Sequence, residues 1–225
     1  MLIKWIGHAC FHIRGDGVSI VTDPYTPAVA GLNPIREAAD VVIMSSDDDP
    51  FHSDAADVPG SPVVLNALEI ARHDGSRETC GIRFDAIETK ESLVHKRDPG
   101  DNAMYAFTLD GIRVGHMGDV GNPLTPEQLE FLRGVDVLLA LTGGPVTIEL
   151  SDLDTALRAV QPKVVIPMHY QIPNLKLKIL GLEAFTSRYP QEIVDVRPSS
   201  QIELAPDRLP EPMRIVALQP AANER

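Results

Sequence analysis

The feature that most restricts this chain is an abrupt change of character after Met44. Val41-Val42-Ile43-Met44 is an apolar run of strand length, and it breaks into Ser45-Ser46-Asp47-Asp48-Asp49-Pro50-Phe51-His52. A buried strand whose C-terminal end opens into a polar site has this appearance. Three consecutive carboxylates repel one another, and a cation, nearby donors or full solvation must offset that repulsion. Taken alone, the stretch fits a metal-holding loop, with His52 as a nitrogen ligand, or a solvated acidic turn ahead of Pro50.

The remainder reads as alternating short elements. Leu2–Ile6 and Cys10–Arg14 have strand character, and Gly15-Asp16-Gly17 turns the chain into a third strand, Val18–Thr22. Asp23-Pro24 leaves a carboxylate at that strand's edge. Val63–Leu65 and Gly81–Thr89 read as strands around a short helix at Asn66–His73. Asp110-Gly111 between Ala103–Leu109 and Ile112–His116 is a strong hairpin signal. Thr125-Pro126-Glu127-Gln128 announces a helix by a capping box with proline at its first position. Val135–Leu141 and Lys163–Pro167 read as buried strands, and between them Ser151 is expected to cap a helix with Leu153, Ala156, Leu157 and Val160 on one face. A short helix near Glu183–Arg188, strands near Ile202–Leu204 and Arg214–Leu218, and a frayed tail beyond Gln219 complete the reading. Hairpins first and strand–helix alternation later imply an α/β fold of packed layers with mixed sheets. No glycine-rich phosphate loop points to a nucleotide.

Composition excludes some partners. The 225 residues suit one α/β domain, 1–225, with ample core, 44% of them being hydrophobic. With 32 acidic against 20 basic residues the net charge is −12, a field that repels a phosphate backbone, so no nucleic-acid partner is expected. No apolar run reaches membrane length, and neither a membrane partner nor a signal segment is expected. Cys10 and Cys80 are too few for a disulfide framework; both are expected to pack as small hydrophobes in a cytoplasmic protein. The partner left is a small-molecule substrate or ligand. A homo-oligomer is compatible with the sequence, although no interface is specified.

Separate segments offer groups that could converge on an ion: Asp48 with His52, then His95, Asp119 and His169. Each has a plainer alternative. His95, between Val94 and Lys96, fits an exposed loop as well as a ligand position. His116 follows Ile112 and Val114 in the inward alternation, which suits a hydrogen-bonded core histidine that supports the site. Asp119 could begin a turn. His169, closing a buried strand after Pro167, needs a polar partner.

Gly7-His8-Ala9-Cys10-Phe11, Thr22-Asp23-Pro24, His116-Met117-Gly118-Asp119-Val120-Gly121, Gly143-Gly144 and Ile166-Pro167-Met168-His169-Tyr170 together resemble the metallo-β-lactamase superfamily. More narrowly they are similar to its ascorbate-phosphate-lactonase-like branch of small zinc-dependent hydrolases. The resemblance implies an αββα four-layer sandwich with the site along one edge of the paired sheets. It places His95 at the third histidine ligand of a first metal, Asp119 at the bridging carboxylate and His169 at the last histidine. His8 and Asp23 fall at positions that support the site. The departure is in the opening stretch, where the family has His-x-His-x-Asp-His. Ser46, Asp48, Pro50 and Phe51 stand there, and proline and phenylalanine side chains ligate nothing. An intact dinuclear zinc centre is therefore not expected. One divalent ion, zinc or manganese, held by His95, Asp119 and His169 with Asp48 or His52, would leave a hydrolase with Asp119, or Asp48 or another free carboxylate of Asp47-Asp48-Asp49, as general base. By resemblance its substrate is a small anionic ester, lactone or phosphodiester, with Lys176 and Lys178 as candidate anion contacts. The other reading is a non-catalytic binding or assembly module without metal.

Overall fold

The computed structural model describes residues 1–221. Two mixed sheets carry the chain. The first contains β1 (Leu2–Gly7), β2 (Cys10–Gly15), β3 (Val18–Thr22), β4 (Val41–Met44), β5 (Val63–Asn66) and β13 (Gln201–Glu203), in the order β13-β1-β2-β3-β4-β5. The second has eight strands: β6 (Ser76–Thr79), β7 (Ile82–Lys90), β8 (Asp101–Leu109), β9 (Ile112–His116), β10 (Val137–Leu141), β11 (Val164–Met168), β12 (Val194–Val196) and β14 (Arg214–Ala217). Their order is β12-β14-β11-β10-β9-β8-β7-β6. Helices are short: α1 (Pro27–Ala30), α2 (Ala67–Arg72), α3 (Pro126–Phe131), α4 (Leu150–Val160) and α5 (Leu182–Thr186). This is the α/β metallo-β-lactamase arrangement expected from the sequence. The frayed tail expected beyond Gln219 lies, for residues 222–225, outside the described residues.

Local chemistry accounts for the elements. At the β8–β9 hairpin, Asp110 and Gly111 both take left-handed backbone (φ 48° and 72°), the geometry a two-residue turn needs to match strand twist. The capping box closes with Gln128 N donating to Thr125 Oγ1 at 3.3 Å and Thr125 N donating to Gln128 Oε1 at 3.0 Å. β10 and β11 are buried along their whole length and pair in parallel, which explains their continuous apolar runs. Pro167 lies past the last β11–β14 pair, Val165 with Ile215, so its missing N–H removes no ladder bond on that side. Ser151 is not the cap of α4: the cap lies two residues earlier, at Glu149, and the helix begins at Leu150. Its inward face is Leu153, Ala156, Leu157 and Val160, as the spacing implies. Cys10 is buried, but Cys80 is exposed in the turn between β6 and β7, against expectation.

One hydrophobic core runs between the sheets from Trp5 and Phe11 through Tyr105 to Leu139 and Ile166. Polar bonds cross it at the site end. Tyr105 of β8 donates to Asp23 Oδ1 at 2.9 Å, and His116 Nε2 of β9 donates to the Ala9 carbonyl at 2.9 Å. Gly118 permits the close approach: a Cβ there would stand 2.5 Å from the Ala103 carbonyl oxygen and 2.9 Å from the Ser45 Cβ.

Away from the site, Asp154 pins α4 to the chain after α5, accepting from Tyr189 Oη at 2.7 Å and from Arg188 Nε at 2.9 Å. Burial pushes its carboxyl up, but Arg188 and Tyr189 outweigh this and hold it below the usual carboxylate range. A carboxylate with a depressed folded pKa contributes stability above its unfolded pKa, lost as pH falls through the folded one. Asp154→Asn should therefore cost about 1 kcal/mol at neutral pH, and the gap to wild type should close with acidification. Urea midpoints from pH 7 down to pH 3 measure this; a constant gap would contradict it.

Candidate metal centre

The strand ends deliver the site. His8 follows β1, Asp23 follows β3, His52 lies on the loop after β4, Asp119 follows β9 and His169 follows β11. All five are at most 3% exposed. His8, Asp23 and His169 all adopt positive φ (54°, 36° and 53°), a strained state for residues other than glycine and one that concentrates at functional sites. The strain is held in place by bonds: His169 N and Trp5 Nε1 both donate to the His8 carbonyl, each at 3.0 Å. Gly143 makes room, since a Cβ there would lie 2.1 Å from the His169 carbonyl oxygen.

His8, His52 and His169 each place a ligand-competent nitrogen within 4.8 Å of the other two. Asp49, His52 and Asp119 form an overlapping set by the same measure. The rings are in contact, with centroids 4.0 Å apart for His8 and His169 and 5.0 Å for His8 and His52. Both ring nitrogens of His8, Nε2 of His52, Nδ1 of His169 and Oδ1 of Asp119 are buried without a hydrogen-bond partner. Buried polar atoms are ordinarily paired, and unpaired imidazole nitrogens and a carboxylate oxygen in two overlapping sets of ligand-competent atoms fit the donor types of a divalent-metal site.

Asp23 fixes His52. Its Oδ2 accepts from His52 Nδ1 at 2.8 Å and from Ser45 Oγ at 2.6 Å, and its Oδ1 accepts from Ser45 N at 3.0 Å and from Tyr105 Oη. With Nδ1–H committed to the carboxylate, Nε2 is the nitrogen left for an ion, the usual carboxylate–histidine–metal arrangement. Burial pushes His52 down, but Asp23, Asp49 and Asp119 outweigh it and raise the ring to about 9. Loading a divalent ion there requires Nε2 to give up its proton. Burial, with the neighbouring histidines, lowers His8 well below its ordinary value. Burial likewise takes His169 to about 4, against the pull of Asp119. Asp119 is also depressed, because His169, His52 and Lys96 together overcome the burial that would raise it.

The other residues singled out by sequence are placed as follows. His116 is a core histidine: Nδ1 accepts from Gly118 N at 2.9 Å, Nε2 donates to Ala9, and the ring stacks on Tyr105. His95 is not brought to the centre. It is largely exposed, with Nε2 2.6 Å from Glu149 Oε1. The neighbouring Lys96 turns inward instead, its Nζ donating to Asp119 Oδ2 at 3.0 Å and to Glu91 Oε1 at 2.5 Å. Asp48 is exposed on the rim, whereas Asp49 is within reach of His52 and Asp119, because Phe51 N donates back to Asp49 Oδ1 and Ser53 Oγ accepts from Asp49 N. Lys176 is spent on the Ala28 carbonyl at 2.8 Å, and Lys178 is exposed. His8, which the sequence placed at the margin, lies among the unpaired ring nitrogens; Lys96 was missed, and of the Asp47-Asp48-Asp49 run it is Asp49, not Asp48, that reaches the centre. Lys96 carried no local signal, whereas Asp49 belongs to the run of three carboxylates that the sequence marked.

Beside the centre is a cleft of about 620 Å³, bounded by Asp47, Asp48, Asp49, Phe51, Lys96 and Asp98 among others. Phe51 packs its ring 5.5 Å from that of His8, and Lys96 reaches through to Asp119, so both stand between cleft and centre.

The fold is that of a metallo-β-lactamase-type protein. Residues 2–169 match the family described as the beta-lactamase superfamily domain, and the chain belongs to that family. Among relatives, a UPF0173 metal-dependent hydrolase of Archaeoglobus fulgidus is 28% identical over 76% of this chain and 83% of its own. One of Thermoplasma acidophilum is 29% identical over 77% and 84%. Among solved structures, a candidate zinc-dependent hydrolase of the metallo-β-lactamase superfamily from Thermotoga maritima superposes with TM-score 0.76 at 31% identity, covering 96% of this chain and 97% of that one. No helix among the described residues is long and apolar enough to cross a membrane.

Because Asp23 orients His52, Asp23→Asn should weaken metal binding about 10–100-fold while the protein stays folded. Competition with a fluorescent chelator, alongside circular dichroism, measures this. Unchanged affinity would remove Asp23 from the support of the site.

Proposed function

We propose that the protein is a metal-dependent hydrolase with a mononuclear centre, in which His8, His52, His169 and Asp119 hold one divalent ion and Asp49 lies close enough to join them. The observation that supports this is a pair of overlapping sets of ligand-competent atoms, His8–His52–His169 and Asp49–His52–Asp119, the atoms of each set within 4.8 Å of one another, with several of those atoms buried without partners. Three imidazoles and a carboxylate suit Zn²⁺, with Mn²⁺ the alternative where oxygen ligands contribute. A divalent ion there supplies Lewis acidity and an acidified water.

The chain's own groups have definable tasks. Asp23 keeps His52 in the tautomer that offers Nε2 inward. With Asp119 Oδ1 turned to the ion and Oδ2 to Lys96, Asp49 is the carboxylate left to accept a proton beside the centre, a role the sequence had given to Asp119 or to a carboxylate of the Asp47-Asp48-Asp49 run. Phe51 and the shut strand ends keep bulk water away from the histidines.

The cleft bears on the substrate. Its basic residues are already committed, Arg72 to Glu88 and Asp101, and Lys96 to Glu91 and Asp119. Asp47, Asp48 and Asp98 remain on the rim, so the field at the entrance is negative. That supports a small neutral or cationic ester or lactone over the anionic substrate suggested by resemblance, and it leaves no anion-binding task for Lys176 or Lys178.

A panel of matched aryl esters and lactones bearing trimethylammonium, neutral or carboxylate groups tests the reading. Turnover should need added metal and fall more than about 100-fold in His169→Ala. The cationic member should outpace the anionic one by about 10-fold at low salt, with the difference shrinking as salt is added. Turnover that survives both chelation and His169→Ala would rule out the metal centre as its source. A folded protein that takes up no metal and turns over no member of the panel would favour the metal-free binding-module reading, with which Phe51 packed beside His8 is consistent.

A further inference from the structure

We propose that the Lys96 ammonium occupies the second cation position of this centre, so that the site takes one divalent ion where its carboxylates would otherwise accommodate two. The inference rests on the metal-centre reading above and extends it to a residue that ligates nothing.

Asp119 divides its two oxygens. Oδ2 accepts from Lys96 Nζ at 3.0 Å, while Oδ1 is unpartnered and lies 3.4 Å from His169 Nε2, on the histidine side. A carboxylate that turns one oxygen to each of two neighbouring positive charges is in a bridging posture. Here one of those charges is covalently attached to the chain. Glu91 completes the second position, with Oε1 2.5 Å from the same ammonium. Without Lys96, Glu91 and Asp119 would be left facing one another as uncompensated anions. A protonated amine has no lone pair to give a metal, so its presence there excludes an ion.

The arrangement is built into the backbone. Glu91 N donates to the Gly100 carbonyl at 3.1 Å, and Gly100 N returns a bond to Glu91 Oε2 at 2.7 Å. Asn122 Nδ2 donates to the carbonyls of Lys90 (3.0 Å) and Glu91 (2.9 Å), and Gly121 N donates to Lys90 as well. A Cβ on Gly121 would stand 2.0 Å from Ser92 N, so the segment bearing Glu91 and Lys96 packs directly on the turn bearing Asp119. Lys96 N in turn donates to the Ser92 carbonyl at 3.1 Å, which holds the lysine over the centre while His95 swings out to Glu149. A surface lysine finding a chance partner would need none of this scaffolding.

The test counts metal. Protein stripped with chelator is dialysed against Mn²⁺, and bound metal is measured by elemental analysis and electron paramagnetic resonance. Wild type should hold one equivalent, with the signal of an isolated ion. Lys96→Ala should hold two, a twofold gain, with the exchange-coupled signal of a carboxylate-bridged pair. The double variant Glu91→Gln/Lys96→Ala should return to one. Lys96→Gln, which preserves side-chain length, is carried in parallel in case the alanine variant fails to fold. Two equivalents in wild type would overturn the proposal, as would one equivalent in both folded Lys96 variants. If neither wild type nor variant binds metal, the metal-centre reading fails and takes this one with it. Zero in wild type but one in Lys96→Ala would sink the mononuclear reading alone and leave the ammonium as the group that blocks a metal position.

Discussion

The structure turns on the buried carboxylate of Asp23. It is fully enclosed, yet its two oxygens accept four hydrogen bonds, from Ser45 N, Ser45 Oγ, His52 Nδ1 and Tyr105 Oη. An isolated buried anion would be neutralised or expelled. This one persists because donors come from the loop after β4 and from β8 in the opposite sheet, and their combined effect, with His116 close by, holds its carboxyl below the usual range despite burial. The same bonds that stabilise the charge join the two sheets at the end where they open, and they aim His52. Stability and site geometry are here one network, and a network of this kind is costly to satisfy only in part.

The centre beyond Asp23 is a problem of compensation. Three imidazoles are packed ring to ring, and burial drives His8 and His169 toward their neutral forms, the forms that can ligate. His52 alone is pulled the other way, by Asp23, Asp49 and Asp119. The carboxylates gather around the histidines from the Asp49 and Asp119 side, and Lys96 meets them there. An arrangement of this kind is poised between a positive charge supplied by the chain and one supplied from solution, which gives the position of a single lysine chemical significance.

Much of this was legible in the sequence, and the pattern of what was not has a physical cause. β3, β4 and β9 begin and end where periodicity and turn chemistry place them, because Asp110-Gly111 and the alternation of Ile112, Val114 and His116 leave little freedom. β6 and β12 escaped notice; β6 is a short strand at a sheet edge, with little burial to impose a pattern. In the loops the readings came close, but one or two residues off: His95 for Lys96, Asp48 for Asp49, Ser151 for the cap at Glu149. Which of two neighbours turns inward is set by tertiary bonds, such as Phe51 N to Asp49 or Lys96 N to Ser92, and neither strand nor helix periodicity extends into those segments.

His8 is the instructive case. As a residue in Gly7-His8-Ala9 it has no local reason to be a ligand, and its left-handed backbone is invisible to any alternation rule. What gives it that role is the bond from His169 N to its carbonyl, which connects the ends of β1 and β11 across the gap between the sheets. The loop after β4 has Pro50 and Phe51 where the resemblance leads one to expect a carboxylate and an imidazole, and Phe51 fills space against His8. On the proposed reading of the centre, a histidine fixed at the end of the first strand supplies a nitrogen that this loop does not. A strand end is a stiffer platform than a loop. The centre therefore relies on the sheets for its geometry, and the loop is left to shape and charge the entrance.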